Sequence, residues 1–273
     1  MTRKNGSYIF NRIFSAILAL TFSLTAVPVW TGAAETVSAY AAEEQSGEEY
    51  TGQTDSGIYT ISTLEQLELL AEMVNDGNSY AESTFKLVAE IDLSEKYNKD
   101  KNESWVPIGG GQKKPFSGTF DGGKENGYQI TGLYMYVDDD LVSEYGSQLH
   151  GFTYPCFGLF GYVQDGVIQN LSVDGDISAE EVAGKDELGN HVGGIVGYNK
   201  GTIKECEYDG TITTRSEVES IGGIVGYNGE GSTIEHCTND GDIKITKITA
   251  DYGIDVSGIG GIVDLDVQFM ENQ

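Results

Sequence analysis

Histidine, cysteine, proline and basic charge are all scarce in this 273-residue chain, and each shortage excludes something. Three cysteines, Cys156, Cys206 and Cys237, are too few and too odd in number for a disulfide framework, so the fold must be held by its own packing. The three histidines, His150, His191 and His236, lie far apart, and no H-E-x-x-H zinc motif exists. A G-x-S-x-G nucleophile elbow is also missing. Gly118 to Lys124 (GTFDGGK) fits the first seven positions of a phosphate-binding loop, but the eighth must be Ser or Thr to hold Mg²⁺ and here it is Glu125. With no helix expected after it, the stretch reads as a glycine-rich turn. Only 16 Lys and Arg stand against 43 Asp and Glu. Such a surface repels nucleic acid and anionic lipid.

Glycine is what the chain has in place of proline: 37 residues against 4, about twice the usual share. There is no G-X-Y period, which excludes collagen. Glycine this frequent among alternating β-branched residues indicates many short strands joined by tight turns.

The first 41 residues read as a signal peptide. Arg3, Lys4 and Arg12 form a basic region, Ile13 to Val29 is apolar, and Ala39-Tyr40-Ala41 is an A-x-A cleavage pattern. A membrane anchor is the rival, but the run is somewhat short for a full span. Cleavage would leave 232 residues with 13 basic and 42 acidic side chains, a net charge of −29. Residues 42–56 (AEEQSGEEYTGQTDS) have nothing to bury and read as an acidic flexible leader.

Residues 57–84 hold the only persuasive helix. Ser62 and Glu65 fit a capping box, Leu64, Leu67, Leu70, Ala71 and Val74 recur at helical spacing, and Gly77 supplies a stop. From residue 85 to 273 the pattern becomes short strands: Phe85 to Val88, Ile91 to Leu93, Trp105 to Ile108, Phe116 to Phe120, and Ile130 to Val137. Residues 138–155 read as an inserted loop. Then a repeat becomes plain. Phe157-Gly158-Leu159-Phe160-Gly161-Tyr162 matches Gly193-Gly194-Ile195-Val196-Gly197-Tyr198 and Gly222-Gly223-Ile224-Val225-Gly226-Tyr227, and a fourth copy begins at Ile259. Each of the three full copies continues with a second segment (Ile168 to Leu171, Ile203 to Cys206, Ile234 to Cys237) and a third (Asp174 to Ile177, Asp209 to Ile212, Asp240 to Ile243).

Three short strands per repeat imply a three-sided coil. One coil has no partner for its apolar side chains or its strand amides, and stacking coils about 4.8 Å apart supplies both. The expected fold is all-β, a right-handed parallel β-solenoid whose exposed first coil is covered by the N-terminal helix. Ile177, Ile212 and Ile243 should stack inside, and Gly158, Gly194 and Gly223 should permit close packing or positive φ. A doubly wound sheet would need helical crossovers, and none is present.

These residues resemble the GLUG-motif family of bacterial surface proteins. Gly158-Leu159-Phe160-Gly161 reads as its namesake tetrapeptide, and Gly194-Ile195-Val196-Gly197 and Gly223-Ile224-Val225-Gly226 as its variants. Trp105 to Gly109 and Phe116 to Gly122 are similar to the segment that leads into those repeats. The resemblance covers most of residues 57–263. It implies a β-helical module found in large exported proteins, adhesin-like chains and immunoglobulin A metallopeptidases among them, and implies no activity of its own. After Val263 the expected Gly-Tyr-Asn is replaced by Asp264-Leu265-Asp266, a departure from the pattern. Residues 263–270 alternate as a closing strand would, yet truncation of a longer product is the favoured expectation.

Two columns are candidate sites. Asp174, Asp209 and Asp240 each precede a glycine, which reads first as a repeated Asx-turn with a left-handed glycine, and second as a Ca²⁺ ladder. Tyr162, Tyr198 and Tyr227 read first as packing, and second as a ladder that stacks on sugar rings. Cys206 and Cys237 occupy matching positions and read as stacked buried thiols, with a disulfide as the less favoured alternative. No catalytic residue and no cofactor other than Ca²⁺ is expected. The functional expectation is a secreted or cell-surface, non-catalytic module that binds a glycan or a host or cell-surface protein, with no membrane contact once the signal is cleaved. A β-helical carbohydrate lyase or hydrolase and an inert spacer are the alternatives. Intact mass of the secreted protein should show a chain starting at or near Ala42, and retention of residues 1–41 would overturn the export reading.

Overall fold

The computed structural model describes residues 57–138, 156–181, 191–214 and 220–245. The proposed signal peptide, the acidic leader, the inserted loop beyond Asp138, the fourth repeat copy and the closing strand lie outside the described residues. Those described are mostly β, with a single α-helix.

The chain opens with β1 (Ile58–Ile61), a strand that helical periodicity concealed because it is only four residues long. The helix α1 (Leu64–Asn75) follows at once. Its N-cap is Thr63, one residue later than the Ser62 expected. The Thr63 hydroxyl accepts from the Gln66 amide at 3.3 Å, and the Gln66 side chain reaches back to the Ser62 amide at 2.8 Å. The capping box therefore uses Thr63 and Gln66, not Ser62 and Glu65, because Thr63 is the residue in extended geometry (φ −136°, ψ 159°). Leu67, Leu70, Ala71 and Val74 form the buried face, as the spacing predicts. Gly77, at φ +112°, ends the helix. Asn75 then fixes the helix to the chain ahead of it. Its side-chain amide donates to Pro107 O at 2.9 Å, and its oxygen accepts from the Gly109 and Gly110 amides at 3.1 and 2.8 Å.

The remaining elements are β2 (Thr84–Leu87), β3 (Ile91–Asp92), β4 (Thr119–Asp121), a 3-10 turn over Lys124–Asn126, β5 (Ile130–Asp138), β6 (Cys156–Phe157), β7 (Phe160–Gln169), β8 (Ser172–Glu181), β9 (His191–Gly193), β10 (Val196–Lys204), β11 (Glu207–Thr214), β12 (Ser220–Gly222), β13 (Val225–Asn228), β14 (Thr233–Glu235), β15 (Thr238–Asn239) and β16 (Asp242–Ile245). They form three sheets, in which every pairing between strands is parallel. The first runs β1-β2-β4-β7-β10-β13, with β14 also on β10. The second runs β3-β5-β8-β11-β15, with β16 also on β11. The third is the short β6-β9-β12. Trp105 to Ile108 is not a strand. Ile108 makes one bridge to Phe160, and the Trp105 indole donates to Leu159 O at 3.1 Å.

The first two repeats contribute three strands each (β6 to β8 and β9 to β11) and the third is divided into five (β12 to β16), with boundaries that differ from the sequence reading. The Gly-Leu-Phe-Gly stretch is a corner rather than a strand interior: Phe157 ends β6, Gly158-Leu159 turns, and Phe160 begins β7. In the first two copies the first and second segments then merge into one strand, β7 or β10, with a register shift between Lys200 and Thr202, whereas in the third they stay apart as β13 and β14. A second corner recurs where Asn170, Glu205 and His236 take φ of +50°, +54° and +52°. That regular use of the left-handed region by non-glycine residues is the turn the sequence did not reveal.

In-register pairing sorts the core by residue type. Tyr59, Phe85 and Phe120 align with one another, and then with Ile168, Ile203 and Ile234. Phe85, Phe116, Phe120 and Phe160 are fully buried, with successive ring centroids 5.2–6.1 Å apart. Burying each ring contributes roughly 1.5–3 kcal/mol. Met135, Ile177, Ile212 and Ile243 form the aliphatic column expected in the second sheet, all buried.

The motif glycines Gly158, Gly194 and Gly223 serve close approach and not positive φ. A Cβ on Gly194 would lie 2.3 Å from Gly223 O and 2.5 Å from the Tyr208 ring, and one on Gly223 would lie 2.1 Å from the Asn239 side chain. Gly194→Ala should therefore destabilise the protein by about 1–3 kcal/mol. An unchanged urea midpoint would show that the two backbones are not in contact at this position.

Candidate functional site

The three tyrosines do come together. Tyr162 and Tyr198 are Cα partners across β7 and β10, and Tyr198 and Tyr227 across β10 and β13. Their ring centroids are 4.7 and 4.8 Å apart, at interplanar angles of 13° and 33°. The column is graded in exposure: Tyr162 is 4% exposed, Tyr198 is half-buried, and Tyr227 is 42% exposed. Burial comes first among the causes that push the Tyr162 and Tyr198 hydroxyls above the usual phenol range. Stacking within the column occupies both faces of Tyr198. Among the described residues, Tyr227 is the ring open to a flat ligand.

A second column, which the sequence reading missed, runs beside the first. Cys156, His191 and Ser220 are Cα partners across β6, β9 and β12. All three are buried. The His191 ring packs against Tyr198 (5.3 Å, edge-on) and Tyr227 (5.0 Å), and its Nδ1 lies 2.6 Å from the Ser220 hydroxyl. The signal that could have found them is the repeat itself, since His191 and Ser220 each stand three residues ahead of a motif glycine, Gly194 and Gly223. The neighbouring Asn199 is also buried, and it holds the adjacent corner. It donates to Asn228 Oδ1 at 2.8 Å and accepts from the Gly201 amide at 2.9 Å.

Burial alone holds the His191 imidazole down to about 4. A base this weak is a poor acceptor for the Ser220 proton, and both side chains are closed to solvent. Burial also pushes the Cys156 thiol up, which makes it a poor nucleophile. This pair and thiol therefore act as a packed support for the tyrosines.

The aspartates share a column but not a turn. Asp174 and Asp209 are Cα partners inside β8 and β11, and Asp240 follows Asn239, its amide donating to Tyr208 O at 2.9 Å. The Asx-turn reading fails at Asp174 and Asp209 because parallel neighbours draw this backbone into a ladder, and Asp240-Gly241 alone lies between strands. Its glycines repeat for close approach: a Cβ on Gly210 would lie 1.9 Å from Gly175 O, and one on Gly241 would lie 2.2 Å from Gly210 O. All three carboxylates are exposed, and partial burial, then Asp209 and Asp176, raise Asp174 above its ordinary value. Among the described residues no group of three or more His, Cys, Asp or Glu is arranged to hold a metal ion. None of the described helices is long and apolar enough to cross a membrane.

Comparison with known proteins adds a family at one end of the described chain. Residues 218–246 match the family model for the GLUG motif, so the chain carries that motif, over a stretch that includes Gly223-Ile224-Val225-Gly226 and Tyr227. No curated protein matches the chain. It is similar to the crystal structure of a candidate immunoglobulin A1 protease from Bacteroides ovatus, with 18% identity over 71% of this chain and 70% of that one, at a TM-score of 0.34.

The His191 environment gives a pH dependence with a definite sign. Its folded pKa lies below the unfolded value of about 6.5, so the unfolded chain takes up a proton first. Stability from neutral His191 is intact above about pH 6.5 and is lost progressively as the pH falls toward 4, by about 3 kcal/mol in total. His191→Gln should flatten stability between pH 6.5 and 4 in chemical denaturation. The same pH slope in both proteins would show that His191 is not responsible.

Proposed function

We propose that the three parallel sheets are the faces of a right-handed β-solenoid, and that this solenoid is a non-catalytic, extracellular binding module taking a flat pyranose ring on Tyr227. The repeat supports the solenoid, because each of its copies extends all three sheets on the same side and in the same order, the third copy with its strands divided in two sheets. In that architecture α1 covers the first coil and supplies the partner its apolar end requires.

The observation that carries the binding reading is the exposure gradient along the tyrosine column. Tyr162 and Tyr198 are fixed by stacking, which orders Tyr227 without burying it. A pre-ordered aromatic face loses little side-chain entropy on binding, and a tyrosine offers a sugar both an apolar ring and a hydroxyl. The acidic surface makes a neutral glycan a better ligand than a polyuronate, since like charges repel. Export, as read from the first 41 residues, puts the module where such glycans occur. Lyase or hydrolase action is not part of the reading.

A panel of immobilised neutral and acidic glycans tests this directly. Neutral glycans should bind, and Tyr227→Ala should weaken that binding about tenfold or more, equivalent to roughly 1.4 kcal/mol, with the melting temperature nearly unchanged. Release of reducing or unsaturated ends, abolished by Asp174→Asn or Asp209→Asn, would overturn the non-catalytic reading. Equal binding by the Tyr227→Ala chain would overturn the site.

A further inference from the structure

We propose that Cys206 and Cys237 are a redox-active pair that closes to a disulfide between neighbouring strands, with Cys237 as the thiol that meets the oxidant. The inference is independent of glycan binding and rests on the register. Lys204 pairs with Glu235 and Glu207 with Thr238, which puts Cys206 opposite Cys237 at equivalent corners of adjacent repeats. The Thr238 amide donates to Cys206 O at 2.9 Å and the Glu205 amide to Glu235 O at 3.0 Å, so backbone bonds lock the two corners together on both sides. Each cysteine follows a left-handed residue of nearly identical φ, Glu205 at +54° and His236 at +52°. Matched backbone turns give the two side chains the same direction. In parallel neighbours the Cα atoms stand about 4.8 Å apart, inside the disulfide range of roughly 4.4–6.8 Å. Closing the bond brings the two Cβ atoms from about 4.8 Å to the roughly 3.5–4.5 Å of a disulfide, a movement of about 0.3–1.3 Å.

The thiols are free but differ in character. Cys206 is fully buried, its thiol donates to Lys204 O at 3.2 Å, and the neighbouring Cys237 sulfur and then burial raise it well above the usual range. Cys237 is partly exposed, and the neighbouring Cys206 thiol lowers it to about 7. At neutral pH much of Cys237 is therefore thiolate that an external disulfide can reach. The Cys237 thiolate attacks one sulfur of that disulfide and expels the other as a thiolate. Cys206 then loses its proton to solvent, attacks the Cys237 sulfur, and expels the second thiolate. Two cysteine thiols give up two electrons and two protons, and the external disulfide is reduced to two thiols. Cys156, buried in a different sheet, has no place in this exchange.

The experiment exposes the reduced full chain to oxidised glutathione, blocks remaining thiols, and maps peptides by mass without reduction. The expected product joins the peptides of Cys206 and Cys237, raises the melting temperature, and reverts with dithiothreitol. In Cys206→Ser the glutathione adduct should persist on Cys237, and in Cys237→Ser the buried Cys206 should remain unmodified. A stable adduct on Cys237 of the unsubstituted chain would overturn the proposal, as would a cross-link that includes Cys156. The unsubstituted chain alone provides a second measurement that needs no folded variant. Alkylation of Cys237 should reach half its maximal rate near pH 7 and exceed that of Cys206 by roughly tenfold or more at that pH. Equal rates for the two would overturn the assignment of Cys237 as the entry thiol.

Discussion

In-register parallel pairing is the constraint on which the rest of this structure depends. A parallel strand leaves half its backbone donors and acceptors for the next strand, so each strand is complete only when the next one is laid against it. The consequence is column identity: whatever residue one repeat places at a position, the following repeat must accept at about 4.8 Å. Phenylalanine lies over phenylalanine, isoleucine over isoleucine, tyrosine over tyrosine. Side chains that tolerate self-stacking are therefore selected, and those that do not must be placed outside or spaced by glycine.

Charge and bulk are handled differently under that constraint. The aspartate column lies exposed, where water screens Asp174 from Asp209; partial burial first, and then the repulsion of Asp209 and Asp176, raise the Asp174 carboxyl. Bulk cannot be screened. Where backbones approach closely, only glycine fits, and the column Gly175, Gly210 and Gly241 is the result. The helix end obeys a related rule, because Asn75 supplies with one side chain the acceptor and donor that Gly109, Gly110 and Pro107 would otherwise lack.

The tyrosine and histidine columns extend this reasoning to a site. Stacking packs Tyr162 and Tyr198 against one another and leaves Tyr227 the most exposed ring of the column, which is why the proposed binding falls there. Burial of His191 behind it removes a charge and leaves a neutral ring to pack on.

The sequence by itself determined the residue types and their period. Three segments per repeat, the isoleucine column, the tyrosine column, the buried face of α1 and the glycine requirement at Gly194 and Gly223 were all legible, because self-similarity records which side chains must coincide. What it could not record is where the chain turns. The left-handed corners fall on Asn170, Glu205 and His236, three residues with no common turn signature, while two of the Asp-Gly pairs that resemble turns, Asp174-Gly175 and Asp209-Gly210, lie inside strands. The four-residue β1 and the shift of the N-cap to Thr63 were missed for the same reason. The pairing of His191 with Cys156 and Ser220 was equally hidden, since unlike residues at equivalent positions break the visible repeat. Corners and unlike partners are decided by which backbone atoms meet across 29 to 35 residues of chain, and only the tertiary structure brings those atoms together.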